Sequence, residues 1–427
     1  LNAYAAHRGA EIHVSRVEYN HNSFQKGEDE EPWYDPVISN FISDKNLEIA
    51  PGLVWNGEVN ISPTAVNPLS GFDTFNGEAC GIFPHTKVAM ASLATAKDLD
   101  ARFNYTTGTI TQRNYVPKKA GQKASFHHAY AALVVEVNAK GEWWVRQLSA
   151  RENGTFQDLR CLVEDGKVTD SDVEGLVWGD IHTAQLDPVV QKACWTPGGM
   201  LDVLHPKYQV YHDLLDFRGR NHHDKGNCHL EFAKHLRGKD DVQAEIQEVE
   251  EFLVEAQRED IEGIVVPSNH DGAMTRWLRE ADYKSDPKNA IFFLRAQLAI
   301  YEAIEANVPH HVFEWAVASQ SDREALERFL EIDESFVIKG IEVGQHGHLG
   351  SNGSRGSPKQ FAKTGAKSIT AHTHSASITD GNYCVGTASN LDCGYNVGAS
   401  SWSHTHAIIY PSGKRALVTM RNGKWCR

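Results

Sequence analysis

The chain lacks any run of about eighteen apolar residues, so no segment has the length of a membrane-crossing helix. No basic-then-apolar leader opens it, which points to the cytoplasm; its first residue is Leu1, as expected of a trimmed or processed form of a longer protein. There are seven cysteines, an odd number, and no C-x-x-C pair, which disfavours a zinc ribbon and a disulfide framework. Free thiols in a reducing compartment are the expectation, and sequons such as Asn104-Tyr105-Thr106 then carry no glycan. Repeats and low-complexity blocks are missing. So is any excess of positive charge: 42 Lys and Arg stand against 56 Asp and Glu, a net charge of −14. That balance argues against a protein that coats nucleic acid. It does not exclude a nuclease, since bound dications would add about four local positive charges.

What is present is an ordinary globular composition, with 41% hydrophobic and 23% charged residues over 427 positions. A chain of this length buries a large core and is expected to form two domains. The polar stretch Lys167–Glu174 places the boundary, giving a strand-rich domain over 1–170 and an α/β domain over 171–427. In the first domain, Ala131–Val137 and Glu142–Leu148 flank Asn138-Ala139-Lys140-Gly141 as a hairpin, and Asp165-Gly166 marks a second turn.

Five polar strings follow short apolar runs in the second half. Gly179-Asp180-Ile181-His182 follows Leu176–Trp178, and His212-Asp213 follows Gln209–Tyr211. Ser268-Asn269-His270-Asp271 follows Ile264–Val266, Gln345-His346-Gly347-His348 follows Phe336–Val343, and Ala371-His372-Thr373-His374 follows Ser368–Thr370. Apolar runs rich in β-branched residues read as buried strands. Polar residues clustered past their ends suit a site at the carboxyl edge of an α/β sheet. The periodicity predicts helices over Asp241–Gln257 and Asn289–Ala306, and Ser321-Asp322-Arg323-Glu324 reads as a capping box opening a helix through Leu330.

Carboxylate, amide oxygen and imidazole are the ligands that borderline divalent cations take. The order and content of these strings resemble the calcineurin-like metallophosphoesterase superfamily, from about Gly175 onward. The resemblance implies a four-layer αββα sandwich preceded by the mixed amino-terminal domain. It also implies two divalent ions: Asp180, His182 and His374 on the first, Asn269, His346 and His372 on the second, and Asp213 bridging. Mn2+ is favoured and Mg2+ is the alternative. His270 would act on the substrate phosphate, oriented by Asp271. His348 is an alternative ligand to His346 or a phosphate contact, and Arg218 and Arg220 are further substrate candidates. His404 and His406 form another H-x-H and read as structural. His212, where the family usually has Gly before the bridging Asp, is a departure, and the absence of Arg directly after Asp216 weakens a protein-phosphatase reading.

Two acid-free segments favour nucleic acid. Ala101–Val135 interleaves Arg102, Arg113, Lys118, Lys119 and Lys123 with Phe103, Tyr105, Tyr115, Phe126 and Tyr130; Gly350–Lys367 carries Arg355, Lys359, Lys363 and Lys367. An ordinary solvated loop stays open as the reading of each. Gly179–Pro188 and Pro267–Leu278 are similar to the pre-early DNA-transfer DNases of T5-like phages. That similarity implies a manganese-dependent DNase acting in the host cytoplasm, with DNA as partner, no membrane span and a possible homo-oligomer. A small-substrate phosphatase or cyclic-nucleotide phosphodiesterase is the alternative, and a non-catalytic DNA-binding scaffold a third.

Overall fold

The computed structural model describes residues 1–17, 34–43, 45–221, 224, 226–323 and 327–425. Two sheets dominate it. The six-stranded sheet runs in the order Glu327–Phe329, Glu262–Val266, Tyr208–His212, Gly175–Val177, Thr405–Ile409, Arg415–Thr419. Its first four strands are parallel, and the last two, from the end of the chain, are antiparallel. Alternation along these short strands decides what each face meets. Leu176, Tyr211, Val265 and Ile408 join the core under the helices Val242–Ala256, Asn269–Glu280, Ala290–Ala306 and Val312–Ala318. Val177, Val210, Ile264 and Ile409 join a second core with Ile82, Phe103, Tyr105, Ile341, Ile369 and Ile378 of the other sheet. The protein is thus α/β, with a helix layer, a sheet and a second sheet stacked in that order.

The second sheet has ten strands, in the order Asn46–Ala50, Leu53–Asn56, Cys80–Phe83, Arg102–Thr106, Met90–Leu93, Ser377–Thr379, Asn382–Cys384, Lys367–Thr370, Ile341–Glu342, Val337–Ile338. Strands before residue 170 and strands after residue 336 therefore share one hydrogen-bonded ladder, joined where Ile378 pairs with Met90. The boundary drawn at 170 from sequence crosses this sheet. The hairpin Ala131–Val137 with Trp143–Ser149 forms as expected, and so does the turn between Cys161–Glu164 and Lys167–Asp170. A third, smaller core of Tyr4, Leu148, Phe156 and Val163 ties the first helix, Asn2–Arg8, to these strands.

The expected strands and the helices at 242–256 and 290–306 form, with Asp241 capping the former through Ala244 N–H at 3.1 Å. The run Phe336–Val343 folds instead as two short strands about Lys339-Gly340. The helix expected from Ser321 to Leu330 does not form: Glu327–Phe329 pairs in parallel with Gly263–Val265, while Glu324 lies outside the described residues. The physical reason is tertiary. Ser321 Oγ donates to Glu250, and the Arg323 guanidinium is held by Glu250, Gln257 and Glu327, so the apparent cap is bound to the neighbouring helix. Among the described residues no helix is long and apolar enough to cross a membrane.

Candidate metal centre

Parallel strands set side by side deliver their following residues to one edge. Past Gly175–Val177 and Tyr208–His212 the two chains stay hydrogen-bonded. Ile181 N–H donates to His212 O at 3.0 Å, His182 N–H to Asp213 O at 2.7 Å and Thr183 N–H to Leu214 O at 3.0 Å. On the other side Asp180 N–H donates to Gly386 O at 3.1 Å. That approach requires glycine: a Cβ on Gly179 would stand 2.7 Å from Thr387 N, and one on Gly386 would stand 2.0 Å from Ser403 O. His406 anchors the same turn, its Nδ1 accepting Gly179 N–H at 3.0 Å, and His404 contacts Ser389 O at 2.9 Å, so both are structural as expected. His182, Asp213, His372 and His374 all have φ between 46° and 72°. Four non-glycine residues in the left-handed region at one place is a strain that folds retain where function fixes the geometry, at a cost of order 1–3 kcal/mol each.

The side chains converge. One ligand atom each from Asp180, His182, Asp213 and His374 lies within 4.8 Å of all the others, and all four residues are buried. His374 Nε2 is 3.0 Å from Asp180 Oδ2 and 3.1 Å from His182 Nε2. Asp213 Oδ2 lies 3.5 Å from both His182 Nε2 and His346 Nε2, which places its carboxylate between two groups of candidate ligands. In the second group His346 Nε2 is 3.2 Å from Asn269 Oδ1, and its ring centroid is 5.2 Å from that of His372. Asn269, His270, His348 and His372 are half-buried, so the centre is closed on the Asp180 side and opens on this one.

The donor set fits divalent cations. Both Asp180 carboxylate oxygens and Asp213 Oδ1 are buried with no hydrogen-bond partner, although buried polar atoms are ordinarily paired. Burial, reinforced by the Asp213 charge, pushes the Asp180 carboxyl well above its usual value, while Asp213 is driven well below its own by the surrounding imidazoles despite burial. Carboxylates this close in a dry pocket share a proton unless a cation compensates them. Burial lowers His374 to about 3 and His348 to about 4, and lowers His346 and His372 as well. Neutral imidazole is the form that binds metal.

His270 stands beside the first group, its ring centroid 4.9 Å from that of His182, and with His182 and Asp216 it forms a further cluster of possible metal ligands. Its Nδ1–H donates to the Asp216 backbone carbonyl at 2.7 Å, and its Nε2 faces Asp213 Oδ2 at 3.8 Å. Burial opposes its charge, but Asp213 and Asp216 outweigh burial and raise it to about 9. Sequence assigns the orienting contact to Asp271 and passes over Asp216. In the fold Asp271 closes a capping box on Asn269–Glu280, its Oδ2 accepting Ser268 N–H at 2.9 Å, and Asp216 meets both His270 and His182. The D-x-x-D spacing of Asp213 and Asp216 marks a second carboxylate near the centre but not which imidazole it meets.

The expected substrate contacts separate. His348 lies beside the second group, 5.3 Å between ring centroids from His346. Arg218 reaches the centre, its Nε 3.2 Å from Asp216 Oδ2. Arg220 does not: Asp286 holds its guanidinium, with Nη2 to Oδ1 at 2.6 Å. Lys359, in the short helix Pro358–Phe361, and Lys363 just after it are exposed, beyond the turn closed by Gly356 N–H to His348 O at 2.9 Å, and no ion pair engages either among the described residues. Of the five aromatics of Ala101–Val135, Phe103 and Tyr105 alternate on a strand and enter the core between the sheets, Tyr115 is bonded to His128, and Phe126 is exposed. His212 is buried, and both its ring nitrogens lack partners; nothing in the surroundings explains its presence before Asp213.

No family model matches the chain, and no solved structure matches it. The chain is 42% identical to Protein A1 of Escherichia phage T5 over 440 aligned positions, which take in 100% of this chain and 79% of that relative.

Proposed function

The chain belongs to the family of Protein A1 of phage T5, and from the buried ligand set and the exposed basic loop we propose that it is a metal-dependent nuclease that hydrolyses DNA. One observation carries the reading: the unpartnered carboxylate oxygens of Asp180 and Asp213, gathered with His182 and His374 within 4.8 Å. Asp180, His182, Asp213 and His374 would hold one divalent ion. Asp213, Asn269, His346 and His372 would hold a second. Manganese suits this mixed imidazole and oxygen set better than magnesium does. Such a pair supplies an activated water and charge compensation for phosphoryl transfer.

The chain's own residues supply the rest. His270, fixed by Asp216, presents Nε2–H to the oxygen that leaves, and protonates it as the phosphodiester opens. Arg218, bound to Asp216, sets a positive charge beside the same point. Exposed Lys359 and Lys363 track the phosphate backbone away from the scissile bond. The helix layer and two face-to-face sheets supply three of the four layers of the metallophosphoesterase sandwich, and phage kinship agrees with action in a host cytoplasm. A homo-oligomer belongs to the same reading.

The test is incubation of plasmid and linear DNA with manganese, magnesium or chelator, beside a small chromogenic diester. Cleavage of DNA in manganese and none in chelator supports the reading. Hydrolysis of the small diester alone would favour a small-substrate phosphoesterase.

A further inference from the structure

Beside His374 stands an aromatic step that no sequence motif marks. The Trp402 ring meets the ring of His374 edge-to-face, with centroids 4.2 Å apart. Tyr395 meets Trp402 in turn, with centroids 5.8 Å apart at 64°. Tyr395 is 58% exposed and its neighbour Val397 is 88% exposed, while Trp402 is half-buried. The step therefore leads from a ligand imidazole outward to solvent.

The segment that carries it is fastened from several directions. Thr95 and Ser400 exchange backbone hydrogen bonds of 2.9 and 2.8 Å. Lys97 Nζ reaches Asp392 at 2.7 Å, and Ser401 Oγ lies 2.7 Å from Ser375 Oγ. Asn396 closes the turn on itself, its Oδ1 accepting Cys393 N–H at 3.1 Å and its Nδ2 donating to Leu391 O at 2.9 Å. Tyr395 is thus displayed on a fixed loop. Two ring contacts separate it from His374. Singly exposed apolar residues need no explanation. An exposed ring in edge contact with a second ring that itself meets His374, on a loop braced to hold it there, is a different case.

We propose that Tyr395, backed by Trp402, is a stacking platform for one nucleobase next to the scissile phosphate, and that the preferred substrate is accordingly DNA with an unpaired base at that position. This rests on the nuclease reading and deepens it. A base presents a flat face of any sequence, so the platform gives affinity without sequence preference. A base inside an intact duplex is already stacked on both sides and gains nothing from it. Single strands, frayed ends and gaps are then bound more tightly than continuous duplex. Trp402 has a second duty in this arrangement, since its edge holds the His374 ring; Tyr395 touches no ligand and is the position that isolates stacking.

The experiment is an anisotropy titration of a labelled single-stranded oligonucleotide, intact or with one abasic site scanned along it, with calcium replacing manganese. Wild type, Tyr395→Ala and Tyr395→Phe are compared, with unfolding temperature and metal content as controls. Wild type is expected to bind the intact strand on the order of 10–100-fold more tightly than the strand abasic at one particular position. Tyr395→Ala should bind both equally and weakly, and Tyr395→Phe should restore the difference. The proposal is overturned if Tyr395→Ala keeps the wild-type preference for the intact strand, or if wild type shows no abasic-sensitive position. The second criterion needs no variant and stands even if Tyr395→Ala fails to fold. Wild type that neither binds nor cuts any oligonucleotide overturns the nuclease reading itself, which is a distinguishable result.

Discussion

At the residue scale, Asp213 joins the two halves of the centre, its Oδ2 being 3.5 Å from His182 and from His346. On the proposed two-ion centre, removing this carboxylate would take a ligand from both ions, so Asp213→Ala is expected to reduce bound metal from two ions per chain to fewer than one, read by elemental analysis of the purified protein. His270 differs in kind. It is aimed at the centre but bonded to the Asp216 carbonyl at 2.7 Å, so His270→Ala should keep its metal and lose turnover on DNA by on the order of 10²–10⁴. Loss of metal in that variant would make His270 a ligand. The convergence of Asp180, His182, Asp213 and His374 was legible in sequence because each string follows an apolar run, which fixes where its side chains emerge. Asp216 was not legible as the partner of His270. Spacing alone does not tell which carboxylate of Asp213, Asp216 and Asp271 turns toward the imidazole, and the backbone carbonyl that makes the contact leaves no mark on the sequence.

At the element scale, Asn269–Glu280 begins at the centre and its capping box sets the entry angle. Ser268 accepts from His270 N–H and Asp271 N–H, both at 3.2 Å, while Asp271 accepts from Ser268 N–H at 2.9 Å. Asp271→Ala removes one half of that exchange. It is expected to lower stability by about 0.5–2 kcal/mol in denaturant unfolding and to leave metal content intact. A loss of turnover as large as that of His270→Ala, at unchanged stability, would return Asp271 to the role of orienter. The contrast with Ser321 shows where local pattern stops deciding. Both serines open an S-x-x-D/E string, yet Ser321 Oγ is bound by Glu250 of another helix and its chain continues into an edge strand. A capping box names a possible helix start, and tertiary partners decide whether it is used. The segment Ala101–Val135 turned on the same point. Phe103 and Tyr105 are two residues apart on a strand, and that spacing places both rings in the core between the sheets.

At the scale of the whole molecule, the sheet that joins Asn46–Thr106 to Val337–Cys384 could not be read from sequence, because pairing between strands so far apart leaves no local periodicity. Charge organisation was better marked. A chain of net charge −14 carries an acid-free loop at 350–367, and the fold leaves Lys359 and Lys363 exposed on it. Replacing both with Ala should weaken DNA binding and flatten its salt dependence by about 0.7–0.9 in log–log slope for each phosphate no longer neutralised. An unchanged slope would make the loop ordinary surface. The proposal that this centre cuts DNA through bound metal has one most direct test. Protein stripped by chelator is titrated with manganese while cleavage of linear DNA is followed. No cleavage is expected without metal, with recovery saturating at two ions per chain and absent in Asp213→Ala. Cleavage by fully stripped protein, or full recovery in Asp213→Ala, would contradict it.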